Sequence, residues 1–480
     1  MNYKFGQIID LIERRNGELL LGAVALVGAT NLILLLYDIV YALTLSQSID
    51  YAEGFVLNYA LNWDAMFQPV ETAPHLVTNY PPVYPVIVGI LDIIFNNIFF
   101  SSRFVSVISG FFVAALSSLL LYRDTDAHSI VALTPGIIFL FSPIVSQRIL
   151  LARVDILGMT FSIAAIYWFM TRSGRIQLVG SGLLCLLALY TKQSLFVAPA
   201  AIVLTLIIRQ EFRRATAFSI GLGGVGLGLL GVLTFLTGGE AWLHLVTYNQ
   251  NTYSLFPVIR KLYSIGQVHL IVFAFAGTAI LTMWRALPTV MVAYFIVGSI
   301  RILLGGKVGS GPTPYLSMIL GAGILAGYFI TYWNKELQIG SIRNKVNGRT
   351  ALVVFLVILQ LGAFLSPPVS PYGDAEQADL MIEDGSKVLS EDAGLLIGSN
   401  SAINYQPFIM RQLMRQEIVT TDPIINDLDS GEYDYVVLLF NVSHKSEWHT
   451  SRWTPEQINA IRDNYKLYAQ PDGYWIYKPK

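Results

Sequence analysis

Eleven apolar stretches run through the chain, near residues 19–43, 104–121, 130–146, 155–170, 176–190, 194–208, 216–237, 265–283, 287–304, 314–333 and 351–366. A helix needs about 20 apolar residues to cross the hydrocarbon core of a bilayer. Each stretch approaches that length and is bounded by polar or charged residues, so the pattern predicts eleven transmembrane helices. Composition agrees. Only 13% of the 480 residues are charged and 54% are hydrophobic, whereas a soluble domain carries about 25% charge. So few charges cannot cover a surface facing only water, which makes the bilayer the first partner. The first stretch is too long for a cleaved signal peptide and lacks a small-residue cleavage site.

Val83 to Phe100 is ambiguous: it is apolar, but it carries Asp92, Asn96 and Asn97 and follows Pro81-Pro82. Basic residues gather on the cytoplasmic side of short loops. If 83–100 lies at the interface, the basic residues fall mostly on one side, among them Arg14, Arg15, Arg123, Arg172, Arg175 and Arg209. If it crosses, the bias disappears. The expectation is therefore a multi-pass cell-membrane protein with a cytoplasmic N-terminus and an external C-terminus. A transmembrane domain over 1–366 has a long first external loop, 46–102, without Lys or Arg. An α/β domain over 367–480 follows, with strands at 394–398 and 434–441, helices at 403–415 and 454–466, and a terminal hairpin turning at Pro471-Asp472-Gly473.

The predicted outer face collects polar groups. In IDYAEG, Asp50 and Glu53 share a helix face. One of them can act as general base, or the two can form a capping-box-like helix start. In TNYPPVYP, Tyr80 and Tyr84 flank prolines and form either a pocket wall or part of an interfacial aromatic belt. Arg153 and Asp155, in LLARVDILG, enter a span, where ionisable groups are costly and mark function unless they only pair with each other. Lys192 and Gln193 occupy a short link between spans. Arg153 and Lys192 are placed to meet an anionic headgroup such as a phosphate. The loop GGEAWLHLVTYNQNTYS, with His244, and Arg260-Lys261 beyond it can hold a sugar, or is a mobile interfacial loop. Lys307 in GGKVGSGPTPY is a weaker candidate of the same kind.

Several classes are disfavoured. A net charge of −1 does not suit nucleic-acid binding, which needs a basic face. The histidines show no metal-ligand spacing, and there is neither a Walker-type loop nor a dinucleotide fingerprint. Cys185 is the single cysteine, so no intrachain disulfide can form. Asn441-Val442-Ser443 is a glycosylation triplet of a kind common by chance.

The ordered set DYAEG, NYPPVYP, ARVD, LYTKQ and VLSEDAGLLIGSN…YQPF, from residue 50 to residue 408, resembles the GT-C glycosyltransferases that use lipid-linked donors, within them the protein-mannosyltransferase and aminoarabinose-transferase group. The resemblance implies a GT-C-like, all-α polytopic membrane fold with a small extracytoplasmic α/β domain. It implies an enzyme that moves a sugar, with inversion, from a polyprenyl-phosphate donor to a glycan, glycolipid or protein acceptor on the outer face. Asp50 matches the family's acidic residue of the first external loop, its base; Asp155 and Lys192 resemble a later aspartate and a lysine near the carrier phosphate. The chain departs from the family at Asn79-Tyr80-Pro81, where a second acid usually stands, so Glu53 takes that role or one carboxylate suffices. No cofactor is expected; a divalent metal is left open, with Arg153 and Lys192 able to meet the leaving-group charge. The alternatives are a lipid or glycolipid transporter, which predicts midplane charges and inverted repeats, and a membrane anchor for the C-terminal domain.

Overall fold

The computed structural model describes residues 2–125, 127, 129–333, 348–371, 373–398 and 401–480, with side chains described from residue 19 onward except at 348–350, 398 and 447. Every apolar stretch read above falls on helix. Seven helices are long and apolar enough to cross a membrane: Leu19–Thr44, Ile98–Asp124, Val154–Thr171, Gly174–Thr191, Phe212–Leu236, Thr289–Gly306 and Thr313–Trp333. Two more are broken, Ser129–Phe141 with Pro143–Ile149 at 71° and Leu255–Val268 with Leu270–Met283 at 90°. Val197–Ile208 and Ala351–Ala363 are shorter than a full span. Among the described residues, the eleven expected stretches thus comprise seven full-length spans, two bent pairs and two shorter apolar helices. The basic loop carrying Lys335, Arg343 and Lys345 lies outside those residues.

The two breaks meet. Pro143 offers no N–H, and the chain turns at Ser142, whose Oγ lies 2.7 Å from His269 Nε2 at the second break. The two side chains are buried and each supplies the other's hydrogen-bond partner, as burial requires. The ambiguous segment forms a separate helix, Val83–Phe95, ended by Asn96 in the left-handed conformation, before Asn97 caps Ile98–Asp124 through Phe100 N. Its 13 residues are fewer than the about 20 needed to cross.

After the bundle comes a four-stranded sheet in the order β1-β2-β4-β3: Val388–Ser390 (β1), Tyr435–Leu438 (β2), Tyr465–Ala469 (β3) and Trp475–Pro479 (β4). β1 and β2 are parallel, with Val388 opposite Tyr435; β4 runs antiparallel to both neighbours. The terminal hairpin is as expected, with Gly473 at φ 77° in its turn. The strand expected at 394–398 is instead a helix, Ala393–Gly398, and the strand lies one element earlier. A short apolar run does not distinguish the two. Here Asp392 Oδ1 accepts from Gly394 N at 2.9 Å and opens the helix.

Side chains of β2 alternate between two cores, as strand geometry requires. Val436 and Leu438 pack with Trp453, Ile458 and Met410. Tyr435 and Val437 pack with Leu395, Leu396 and Phe55. Phe55 belongs to the helix Glu53–Leu61 in the first loop, so that loop is part of the tail's core. The crossing is close: a Cβ on Gly54 would lie 2.2 Å from the backbone nitrogen of Gly394.

Candidate functional site

The loop after the first span is held from behind by a sealed ion pair. Arg103 and Glu53 both have 0% side-chain exposure and lie 3.0 Å apart. Arg103 also donates to the carbonyls of Ala42, Leu45 and Gln47, at 2.9, 2.7 and 2.5 Å. Glu53 accepts from the backbone N–H of Ile49, Asp50 and Ala152, at 2.6, 3.2 and 2.6 Å. All its oxygens are engaged away from water. The capping expectation survives only in part: Glu53 reaches back to preceding N–H groups, but Asp50 makes a local turn onto Ala52 N (3.0 Å) and the helix begins at Glu53.

Asp50 points the other way. Its Oδ1 accepts from Ala52 N and from Arg153, while Oδ2 lies 4.0 Å from Arg148. The absence of cations in 46–102 therefore does not leave Asp50 unpaired: two arginines reach it from about a hundred residues away. Burial favours the neutral acid, but the charges of Arg153 and then Arg148 outweigh it and hold Asp50 below the usual carboxylate range. Asp50 is therefore ionised at neutral pH, with Oδ2 the less engaged oxygen.

Arg153 opens into a cavity of about 630 Å³ between the helix ends that carry the first loop and the tail. Of the residues singled out in the sequence, Tyr80, Arg153, Lys192, Gln193 and Lys307 line it. Lys192 Nζ donates to Asp155 Oδ1 at 2.6 Å and to Thr313 Oγ1 at 3.3 Å, and lies 5.2 Å from the Tyr80 ring. Asp155 thus stands behind Lys192. Gln193 donates to the carbonyls of Asn79 and Leu245, and Lys307 to that of Asn249. Three buried polar atoms on this lining have no partner among the described residues: Asn79 Oδ1, Asn251 Oδ1 and Arg153 Nε. Such atoms are costly to leave dry, and they suit a ligand rich in hydroxyls.

Four residues singled out in the sequence lie elsewhere. Glu53 is in the sealed pair. Tyr84 is buried and donates to Ser102 O at 3.2 Å. His244 accepts from Thr78 N at Nδ1 and lies 2.9 Å from Gln68 O at Nε2. Burial pushes its pKa down to about 4, so it is a neutral brace for the loop. Arg260 faces a separate cavity with Lys261.

Sequence reasoning missed Arg148, Tyr51 and the tail's contribution. Gln406, Phe408, Ser451 and Arg452 complete the wall. Arg452 stacks 3.8 Å over the Tyr51 ring and donates to Glu391, a buried carboxylate that also meets His449 at 2.6 Å. The only signal was the run YQPF; nothing marked Arg452. Among the described residues no group of three or more His, Cys, Asp or Glu side chains is placed to hold a metal.

Beside this cavity lies a second, of about 650 Å³, sharing Gln193, Leu245 and Val246 with it. Its other walls are almost wholly apolar, from Leu189 and Phe196 to Leu222 and Leu230. Through Phe218 and Leu222 it continues into an apolar groove that ends at Arg175. The groove runs the length of Gly174–Thr191, against the glycine-rich helix Phe212–Leu236.

Residues 79–237 match the family model for dolichyl-phosphate-mannose-protein mannosyltransferase. The crystal structure of ArnT from Cupriavidus metallidurans bound to undecaprenyl phosphate is similar over 95% of this chain and 98% of its own, with a TM-score of 0.62 and 12% identity. The fold is that of ArnT. The apo form of the same ArnT gives a TM-score of 0.60 at 12% identity, over 95% of this chain and 97% of its own. The Archaeoglobus fulgidus oligosaccharyltransferase, in complex with Zn and sulfate, gives 0.53 at 11% identity, over 95% of this chain and 73% of its own. No curated protein matches by sequence. That fold accounts for the helical bundle and for the small sheet that follows it.

Proposed function

We propose that this protein is a membrane glycosyltransferase that takes a sugar from a polyprenyl-phosphate carrier and passes it, with inversion, to an acceptor on the extracytoplasmic face. The observation that carries the reading is the junction at Gln193, where a polar, cation-lined cavity meets a long apolar groove open between helices. An amphiphilic donor fits that junction, with its isoprenoid chain in the groove, its phosphate at Lys192 and Arg153, and its sugar among Asn79, Asn249 and Asn251. The ArnT crystal structure bound to undecaprenyl phosphate supports a donor of this chemistry.

The division of labour follows from charge. Asp50, kept ionised by its arginines, takes the proton of an acceptor hydroxyl at Oδ2 as the acceptor oxygen bonds to the anomeric carbon. The bond from that carbon to the phosphate oxygen breaks, and the carrier phosphate leaves with the electron pair. Fixed cations at Arg153 and Lys192 stabilise the charge that grows there. The acceptor supplies a hydroxyl from a glycan, a glycolipid or a protein.

Reconstituted protein given radiolabelled polyprenyl-phosphate sugars and a membrane extract as acceptor source should transfer the label. Movement of intact donor across the vesicle without transfer would make it a transporter and overturn the proposal. In intact cells, cysteines replacing Gln68 and Ser430 should both react with an impermeant thiol reagent; labelling of only one would break the assignment of loop and tail to one face.

A further inference from the structure

The helix Leu255–Val268 meets Leu270–Met283 at 90°. With the second helix crossing the bilayer, the first lies along the membrane surface. Its residues divide into three arcs. Val258 and Ile265 are buried against the bundle, while Leu255, Phe256, Ile259, Leu262 and Tyr263 are exposed on one side. Between these arcs stand Arg260, Lys261 and Ser264, which line a cavity of about 330 Å³ with Ile144, Ile265 and Pro312. An apolar arc beside basic residues is the pattern of a helix seated at the headgroup boundary.

The charges here differ from those of the main cavity. Arg153 and Lys192 are each matched by a carboxylate. Among the described residues neither Arg260 nor Lys261 forms an ion pair. Lys261 Nζ donates only to the carbonyl of Gly311, at 2.8 Å. Two cations in a partly enclosed niche, with an exposed apolar face alongside, call for an anion that carries its own hydrocarbon.

We propose that this niche binds the phosphate of an anionic phospholipid from the surrounding leaflet, whose acyl chains run down beside Phe256 and Ile259. The site is separate from the donor cavity, because the turn at residues 308–314 stands between them: Thr313 contacts Lys192 on one side and Gly311 contacts Lys261 on the other. It does not depend on the glycosyltransferase reading.

The test is native mass spectrometry of the full-length protein in detergent, titrated with phosphatidylglycerol and, separately, phosphatidylcholine. The wild type should retain phosphatidylglycerol and release phosphatidylcholine. Arg260→Gln with Lys261→Gln should weaken phosphatidylglycerol binding by at least about tenfold, the worth of one or two charge-assisted hydrogen bonds, while Arg260→Lys with Lys261→Arg and Lys192→Ala should both keep it. Because Arg260 is exposed, Arg260→Gln alone gives a folded variant in which a smaller loss is expected. Equal retention by wild type and the Gln variants overturns the proposal. So does displacement of the lipid by inorganic phosphate or glycerol 3-phosphate at equal concentration, which would make the niche a site for soluble anions.

Discussion

Two carboxylate–arginine pairs flank the helix Glu53–Leu61, on its packed side and its cavity side. The packed-side pair, Glu53 with Arg103, is sealed on both partners; the cavity-side pair, Asp50 with Arg153, keeps 23% and 16% of its side chains exposed. Stripping one partner from a sealed pair leaves a charge that nothing solvates, whereas water can reach a half-open one. The contrast separates two acids that look equivalent in sequence: the one water cannot reach builds the loop, and the one water can reach is free to exchange a proton.

The comparison can be broken most forcefully at Arg103. Arg103→Met leaves the buried Glu53 charge without its cation and three backbone carbonyls without their donor, and should destabilise the protein by about 3–5 kcal/mol, read as a large fall in Tm or loss of a monodisperse peak in detergent. Retention of the wild-type Tm would show that the sealed pair does not hold the loop. On the cavity side, Asp50→Asn should cut sugar transfer by about 10²–10⁴-fold, the usual share of a general base, with Tm near that of the wild type. The mirror-image result, in which folded Glu53→Gln is inactive and Asp50→Asn turns over normally, would exchange the two roles.

A smaller effect is expected at Lys192. Lys192→Ala should raise the KM for the lipid-linked donor by about tenfold, since a hydrogen bond to a charged group is worth about 1.5 kcal/mol or more. A change confined to kcat would move Lys192 away from the ground-state phosphate.

The smallest effect sharpens the packed side. Asp392 is buried beneath the loop, with Tyr474 donating to its Oδ2 at 2.8 Å. Burial, against the hydrogen bonds from Tyr474 and Gly394 N, pushes its pKa from 3.8 up to about 6. Between those two values the folded chain holds a proton that the unfolded chain has released. The stability so gained is complete below about pH 4 and is lost as pH rises through about 6. Tm measured from pH 4 to pH 7 should show the difference between wild type and Asp392→Asn drifting against the wild type as pH rises. A flat difference would place Asp392 outside this linkage.

Much of the bundle was legible because a span declares itself by twenty apolar residues in a row, a local property. The breaks at Ser142 and His269 were not, since each depends on a partner 127 residues away. The cluster of Tyr80, Arg153, Lys192, Gln193 and Lys307 could be read because polar groups at the ends of apolar runs must gather where water is. What escaped was pairing. Arg148, in the helix Pro143–Ile149, and Arg153, just before Val154–Thr171, neutralise Asp50, and Arg103, one residue beyond the long loop without Lys or Arg, was passed over although it holds that loop in place. Arg452 reaches the cavity only through the fold of the tail, and its surroundings in sequence, HTSRWT, resemble any polar loop.

A side chain on Gly54 would strike the backbone of Gly394, and one on Gly394 would strike Ser48, at the start of the same loop. The tail is therefore not an interchangeable module. A chimaera that exchanges residues 367–480 for those of a relative inherits a foreign surface at this crossing, and will seat its own loop wrongly unless residues 46–61 travel with it. Acceptor preference, if it is to be engineered by trading tails, must be transplanted as two distant pieces of chain at once.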